Sequence, residues 1–192
     1  MKYKILKEYK SKKQYRRKGY DYSQDGFYFV TICTKNREMF FGEIENEKMK
    51  LSDVGLIANK FWLEIPKHFK FVRLDEYMIM PNHIHGIIQI DNAEIDVGTG
   101  QCPVPTNTNK KIKQNISKFG RVIPNSLSTI IGSYKSIVKK TTNEKLPNFG
   151  FTWQSRFYDR IIRNNAELNK IRQYIINNPI RWEFDRNNID MK

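Results

Sequence analysis

The sequence predicts an α+β domain, an antiparallel sheet with helices packed on it. Three observations point there. Short runs rich in aromatic and β-branched residues alternate with longer stretches whose apolar residues recur at helical spacing. The predicted order is strand, hairpin, helix, strand, strand, helix, strand, helix, which groups strands in a way that all-parallel folds do not. A length of 192 residues, 39% of them hydrophobic and 13% aromatic, suits one folded domain with a sizeable core.

The elements follow in order. FYFVTICT (27–34) is a strand by composition. A hairpin spans about residues 41–51, with Asn46 and Glu47 near its turn. Ser52 caps a helix running to about His68, with Leu56, Ile57, Phe61, Trp62 and Ile65 on its apolar face. Residues 72–80 form the second main strand, and Pro81-Asn82 starts or interrupts the next, which carries His83 and His85. Residues 91–124 are rich in Gly, Pro, Asn, Thr and Lys and read as a basic surface insertion. A helix over 126–141 shows a stripe of Leu127, Ile130, Ile131, Tyr134 and Ile137. Residues 151–162 read as a strand. Asn164 with Glu167 resembles a capping box. The last helix then runs to about Asn177, buries Leu168, Ile171 and Ile175, and is stopped by Pro179. On this reading residues 1–24 are a basic, aromatic arm, 25–182 a single domain, and 183–192 a C-terminal tail.

Charge narrows the partners. Thirty-four Lys and Arg against twenty Asp and Glu leave +14, which favours a polyanion, most often nucleic acid. Residues 1–18 hold nine Lys or Arg against Glu8 alone, interleaved with tyrosines that can stack on bases. The plain alternative for residues 1–12 is a solvated terminus. Cys33 and Cys102 have neither zinc-finger spacing nor a disulfide framework. No apolar run is long enough to span a membrane or serve as a secretory signal, so a reducing, cytoplasmic location and no membrane partner are expected.

The chemistry centres on His83 and His85. Side chains two apart on a strand share a face, so both imidazoles can meet one cation while Ile84 enters a core. Such a cation polarises a phosphoryl oxygen. Tyr174 lies beside the apolar stripe of the last helix, and Asn178, four residues on, faces the same way. Asn178 is either an oxygen donor completing a facial set or a helix C-cap. Structural zinc is disfavoured, since no Cys or third His is nearby, and His68 reads as a charge partner for its own helix end.

Four segments, in order, carry a family resemblance. LDEYMIMPNHIHG (74–86) resembles the histidine–hydrophobe–histidine segment of HUH single-tyrosine transposases. WQSRFYD (153–159) and YIINNP (174–179) are similar to REP-associated tyrosine transposases, as is KGYDYS (18–23) with the strand after it. The resemblance spans about residues 16–182. It implies a ferredoxin-like (RRM-like) HUH-type fold and a metal-dependent single-stranded DNA endonuclease and strand transferase acting at hairpins or repeats. It further implies Tyr174 as the nucleophile that forms a 5′-phosphotyrosine, His83 and His85 as metal ligands, Asn178 in the place of the third, and Mg²⁺ or Mn²⁺ as the ion. Imidazole suits Mn²⁺ better than Mg²⁺. The insertion and a short basic tract after the tyrosine, Arg181 and Arg186, depart from the pattern.

Expected DNA contacts are Arg16, Arg17, Lys18 and Tyr20 in the arm, then Trp153, Gln154 and Arg156, with Trp153 equally a core residue. Two alternatives stand beside the enzyme. One is a non-catalytic RRM-like module stacking bases on Phe27, Phe29, Tyr77 and Tyr158; the other is an RNA-processing nuclease using the same residues. Monomer and dimer are both open.

Overall fold

The computed structural model describes Arg17, residues 20–92 and residues 123–188. Its strands are β1 (Gly26–Cys33), β2 (Gly42–Glu45), β3 (Lys48–Leu51), β4 (Val72–Met80), β5 (His83–Ile90) and β6 (Tyr158–Ile162). Its helices are α1 (Asp53–His68), α2 (Leu127–Lys145) and α3 (Asn165–Ile176). Short 3-10 turns occupy Lys35–Arg37 and Trp182–Phe184. No helix among the described residues is long and apolar enough to cross a membrane.

The main sheet has the order β4-β5-β1-β6, with every pairing antiparallel. With the β2–β3 hairpin set aside, the chain runs β-α-β-β-α-β through this order, which is the ferredoxin-like arrangement. The hairpin turns at Asn46 and Glu47, whose φ values of 49° and 61° are those a two-residue type I′ turn requires.

Alternation in β1 and β5 divides the molecule into two layers. Tyr28, Val30, Ile32, Ile84, Ile88 and Ile90 face α1 and α2, where Trp62, Ile65, Ile130, Ile131 and Val138 complete the larger core. Gly86 belongs to this face because nothing larger fits. A Cβ there would lie 2.3 Å from Trp62 Cζ2. The opposite face is covered by α3 through a smaller cluster of Ile87, Ile162, Leu168, Ile171 and Ile175, with Phe27, Phe29 and Met78 beside it. The Arg172 guanidinium adds a bidentate tie from α3 to the Asp75 carboxylate of β4, at 2.8 and 2.5 Å.

Three element-level expectations change. α2 continues beyond 141 because Thr142 is buried and carries the helix another turn, and its stripe uses Val138 (0% exposed) rather than Ile137 (38%). Leu56 lies outside the apolar face of α1, at 55% exposed. Of residues 151–162 only Tyr158–Ile162 pair as a strand. Ahead of them, Phe151 and Trp153 turn inward onto Phe41, and a single bridge joins Trp153 to Thr34. The expected insertion lies almost wholly outside the described residues, as does most of the arm.

Candidate active site

Pro81 and Asn82 make the tight β4–β5 turn, so His83 is the first residue of a strand held on both sides, opposite Met80 in β4 and Cys33 in β1. His83 and His85 therefore point to the α3 face as a rigid pair, both 0% exposed, with ring centroids 4.4 Å apart.

Each imidazole has one nitrogen fixed by a neighbour. Asn82 Nδ2 donates to the carbonyls of Arg37 (3.0 Å) and Asn187 (2.8 Å), which leaves Asn82 Oδ1 to accept from His83 Nδ1–H at 2.8 Å. His83 Nε2 is then a bare lone pair, buried and without a protein partner. His85 Nδ1 lies 2.9 Å from Thr31 Oγ1, and its Nε2 lies 3.1 Å from the Tyr174 hydroxyl. Burial holds His83 down to about 3, with the Arg37 and Arg186 guanidiniums adding to it. Burial, then His83, lowers His85 well below the usual histidine range. Both rings are neutral at pH 7, the state in which imidazole ligates metals.

Tyr174 reaches the histidines from the last turns of α3, with 40% of its surface exposed. Phe29 stacks on His85 and meets the Tyr174 ring edge-on, with centroids 5.3 and 6.1 Å away. Burial, then Asp185, raises the Tyr174 phenol above its ordinary value, against smaller lowering effects of Asn178 and Arg186. The phenol is protonated at neutral pH and shares a hydrogen bond with His85 Nε2. Asn178 does not cap α3, whose C-cap is Asn177. It is 2% exposed, donates from Nδ2 to Asp185 Oδ2 at 3.3 Å, and leaves Oδ1 buried without a partner.

Asp185 was absent from the sequence-based site. It follows the 3-10 turn at Trp182–Phe184, in the stretch read as a tail. One ligand atom each from His83, His85 and Asp185 lie within 4.8 Å of one another, a set that could hold a metal ion. Thr31 and Asn82 were likewise missed. No sequence signal separates Asp185 from Glu183 and Asp190 in the same stretch; for Asn82 the signal is direct adjacency to His83. His68, exposed at the end of α1, takes no part in the group.

The expected DNA contacts distribute unevenly. Arg16 and Lys18 lie outside the described residues. The exposed Arg17 sets its guanidinium 5.9 Å from the Tyr20 ring centroid, and the Tyr20 hydroxyl is 3.3 Å from that of Tyr28. Trp153 is core, 7% exposed among Phe41, Tyr134 and Phe151, with its indole N–H on the Lys135 carbonyl. Gln154 donates its backbone N–H to the carbonyl of Cys33, the residue opposite His83, and Arg156 is exposed nearby in sequence. The four aromatics of the base-stacking alternative do not share a face. Tyr77 packs against Trp62 on the α1 side, whereas Phe27 and Phe29 lie under α3.

No protein-family model matches the chain. It is 38% identical over 175 residues to a Haemophilus influenzae protein named "Uncharacterized protein", covering 91% of this chain and 92% of that one. The chain belongs to one family with that protein. A second Haemophilus influenzae protein, named "Putative REP-associated tyrosine transposase", is 21% identical over 170 residues, covering 88% of this chain and 77% of that protein. Among solved structures, a REP-associated tyrosine transposase bound to a REP hairpin aligns with a TM-score of 0.49 at 15% identity, over 90% of this chain and 76% of that one. A "putative transposase" from Deinococcus radiodurans aligns at 0.44 and 15%, over 85% of this chain and 96% of that one. The fold assignment rests on the strand order itself.

Proposed function

We propose that this chain, together with its uncharacterized family member, is a metal-dependent single-stranded DNA endonuclease and strand transferase of the transposase type, acting at hairpin or repeat sequences. One observation carries the reading. A nucleophile-capable hydroxyl, Tyr174, lies against the neutral imidazole of His85, beside the bare Nε2 of His83 and a buried amide oxygen with no other partner. The net charge of +14 and the sequence likeness to a protein named for tyrosine transposition agree with it.

His83 Nε2, His85 Nε2 and Asn178 Oδ1 would hold a divalent cation, Mg²⁺ or Mn²⁺. Two orphaned buried acceptors, His83 Nε2 and Asn178 Oδ1, suit that use. Bound there, the ion polarises a phosphoryl oxygen and stabilises the charge that develops on it. Asn82 fixes the His83 tautomer so that its Nε2 faces the site bare, and the Thr31 hydroxyl holds the His85 ring by Nδ1. α3 presents the Tyr174 oxygen to phosphorus. As the tyrosyl O–P bond forms, the P–O3′ bond of the strand breaks. The proton lost from the phenol balances the one gained by the departing 3′ oxygen, leaving a 5′-phosphotyrosine and a free 3′-OH. Attack by another 3′-OH reverses the sequence and rejoins strands with no external energy source.

The test is a denaturing gel of labelled single-stranded hairpin DNA with Mn²⁺, using the wild type and Tyr174→Phe. A covalent adduct in the wild type, lost in the variant while hairpin binding persists, is the expected result. An undiminished adduct in Tyr174→Phe would remove that residue as nucleophile. Binding without cleavage by the wild type, with either ion and across hairpin sequences, would make the protein a binding module.

A further inference from the structure

Residues 185–188 are held more firmly than a tail requires. Asn187 and Asn188 are 2% and 7% exposed, an unusual burial for asparagines. The Arg37 guanidinium donates through one nitrogen to the Arg186 carbonyl (2.8 Å) and to Asn187 Oδ1 (2.7 Å). Asn82 Nδ2 donates to the Asn187 carbonyl, and Asn188 Nδ2 donates to that of Trp182 at 3.2 Å. Arg37 accomplishes this from a strained backbone. Asn36 and Arg37 both sit in the left-handed region, at φ 53° and 59°, a conformation that asparagine tolerates but that arginine holds only when its surroundings impose it.

What this fastening positions is Asp185. Its carboxylate joins His83 and His85 in one potential ligand set, and its Oδ2 takes the Asn178 Nδ2 donor, which turns Asn178 Oδ1 free. Asn82 links the two halves, because the same amide orients His83 and grips Asn187. We propose that the segment 185–188 is a built part of the metal site, in which Asp185 supplies a carboxylate donor and Arg37 is the positioning residue that latches it. A carboxylate is the hard, anionic oxygen that Mn²⁺ and Mg²⁺ favour and that two imidazoles and an amide lack. The inference rests on the metal-dependent reading of the same site.

The measurement is Mn²⁺ binding to the DNA-free full chain, followed by the loss of the free-ion EPR signal, for the wild type, Asp185→Asn and Arg37→Asn. Asparagine suits the left-handed backbone at 37 while removing the guanidinium. Melting temperatures show that each variant is folded. Both variants are expected to bind Mn²⁺ about 10-fold or more weakly, the effect typical of a lost ligand or of a partner that orients one. Equal or tighter binding by Asp185→Asn would overturn the donor assignment, and unchanged binding by Arg37→Asn the latch. A wild type that binds no Mn²⁺ would overturn the metal reading itself, an outcome distinct from wild-type binding with indifferent variants.

Discussion

One nitrogen of each histidine is committed inside the fold and the other is turned outward, an arrangement with a thermodynamic signature. Both side chains are neutral when folded and ordinary histidines when unfolded, so the unfolded state binds more protons below about pH 6.5, down to about pH 3 for His83. Depressed folded values mean stability that is present above the unfolded value and lost as the pH falls. In EDTA, the unfolding free energy should therefore drop on acidification from about pH 6.5 by about 1.4 kcal/mol per pH unit for each histidine. His83→Gln should remove one proton's worth of that slope in urea titrations at stepped pH, and parallel wild-type and variant curves would contradict it. The residues that were legible in the sequence are those linked by short spacings, i and i+2 on a strand for the histidines and i and i+4 at a helix end for Tyr174 and Asn178. Thr31 stands 54 positions from His85, and Asn187 stands 105 from Asn82, so no local pattern reveals either pairing.

At the level of elements, α3 decides whether the tyrosine meets the histidines. Its apolar contact with the sheet is small, which gives weight to the Arg172–Asp75 pair. That pair is partly exposed, so Arg172→Ala should cost only about 1 kcal/mol of stability. Its larger effect should fall on chemistry. Adduct formation at saturating hairpin DNA should slow several-fold, since small displacements of a nucleophile are costly, while hairpin affinity stays near wild type. A drop in affinity with an unchanged single-turnover rate would place Arg172 at the DNA instead. Helix starts were legible because caps are local: Ser52, Ser126 and Asn164 each accept from the backbone N–H three residues on. The stretch before β6 was not, because strand identity depends on a partner. Residues 151–157 have the composition of a strand, yet Phe151 and Trp153 contribute more by filling the space against Phe41.

The whole molecule is a basic body around an antiparallel sheet, and its excess charge argues for a salt-sensitive partner. Neutralising Arg16 and Arg17 together should weaken single-stranded DNA binding. The plot of log affinity against log salt should flatten by about 0.7 for each phosphate that is no longer neutralised. Fluorescence anisotropy across a salt series reads this directly, and an unchanged slope would exclude the pair from the interface. The α+β class was legible because element order constrains the sheet, whereas the ferredoxin-like strand order, realised within residues 26–162, was implied only by the family resemblance.

The alternation along β5 has one more consequence. His83, Ile84, His85 and Gly86 assign successive residues to opposite duties, two nitrogen donors on one face, and on the other an isoleucine in the core and a glycine pressed against Trp62. A one-residue insertion or deletion at the Pro81-Asn82 turn would slip the strand by a single step and exchange those faces. Imidazoles would be driven into the hydrophobic layer and Ile84 into the site, so chemistry and folding would fail together. The gene can drift along this strand by substitution, but it cannot change its length.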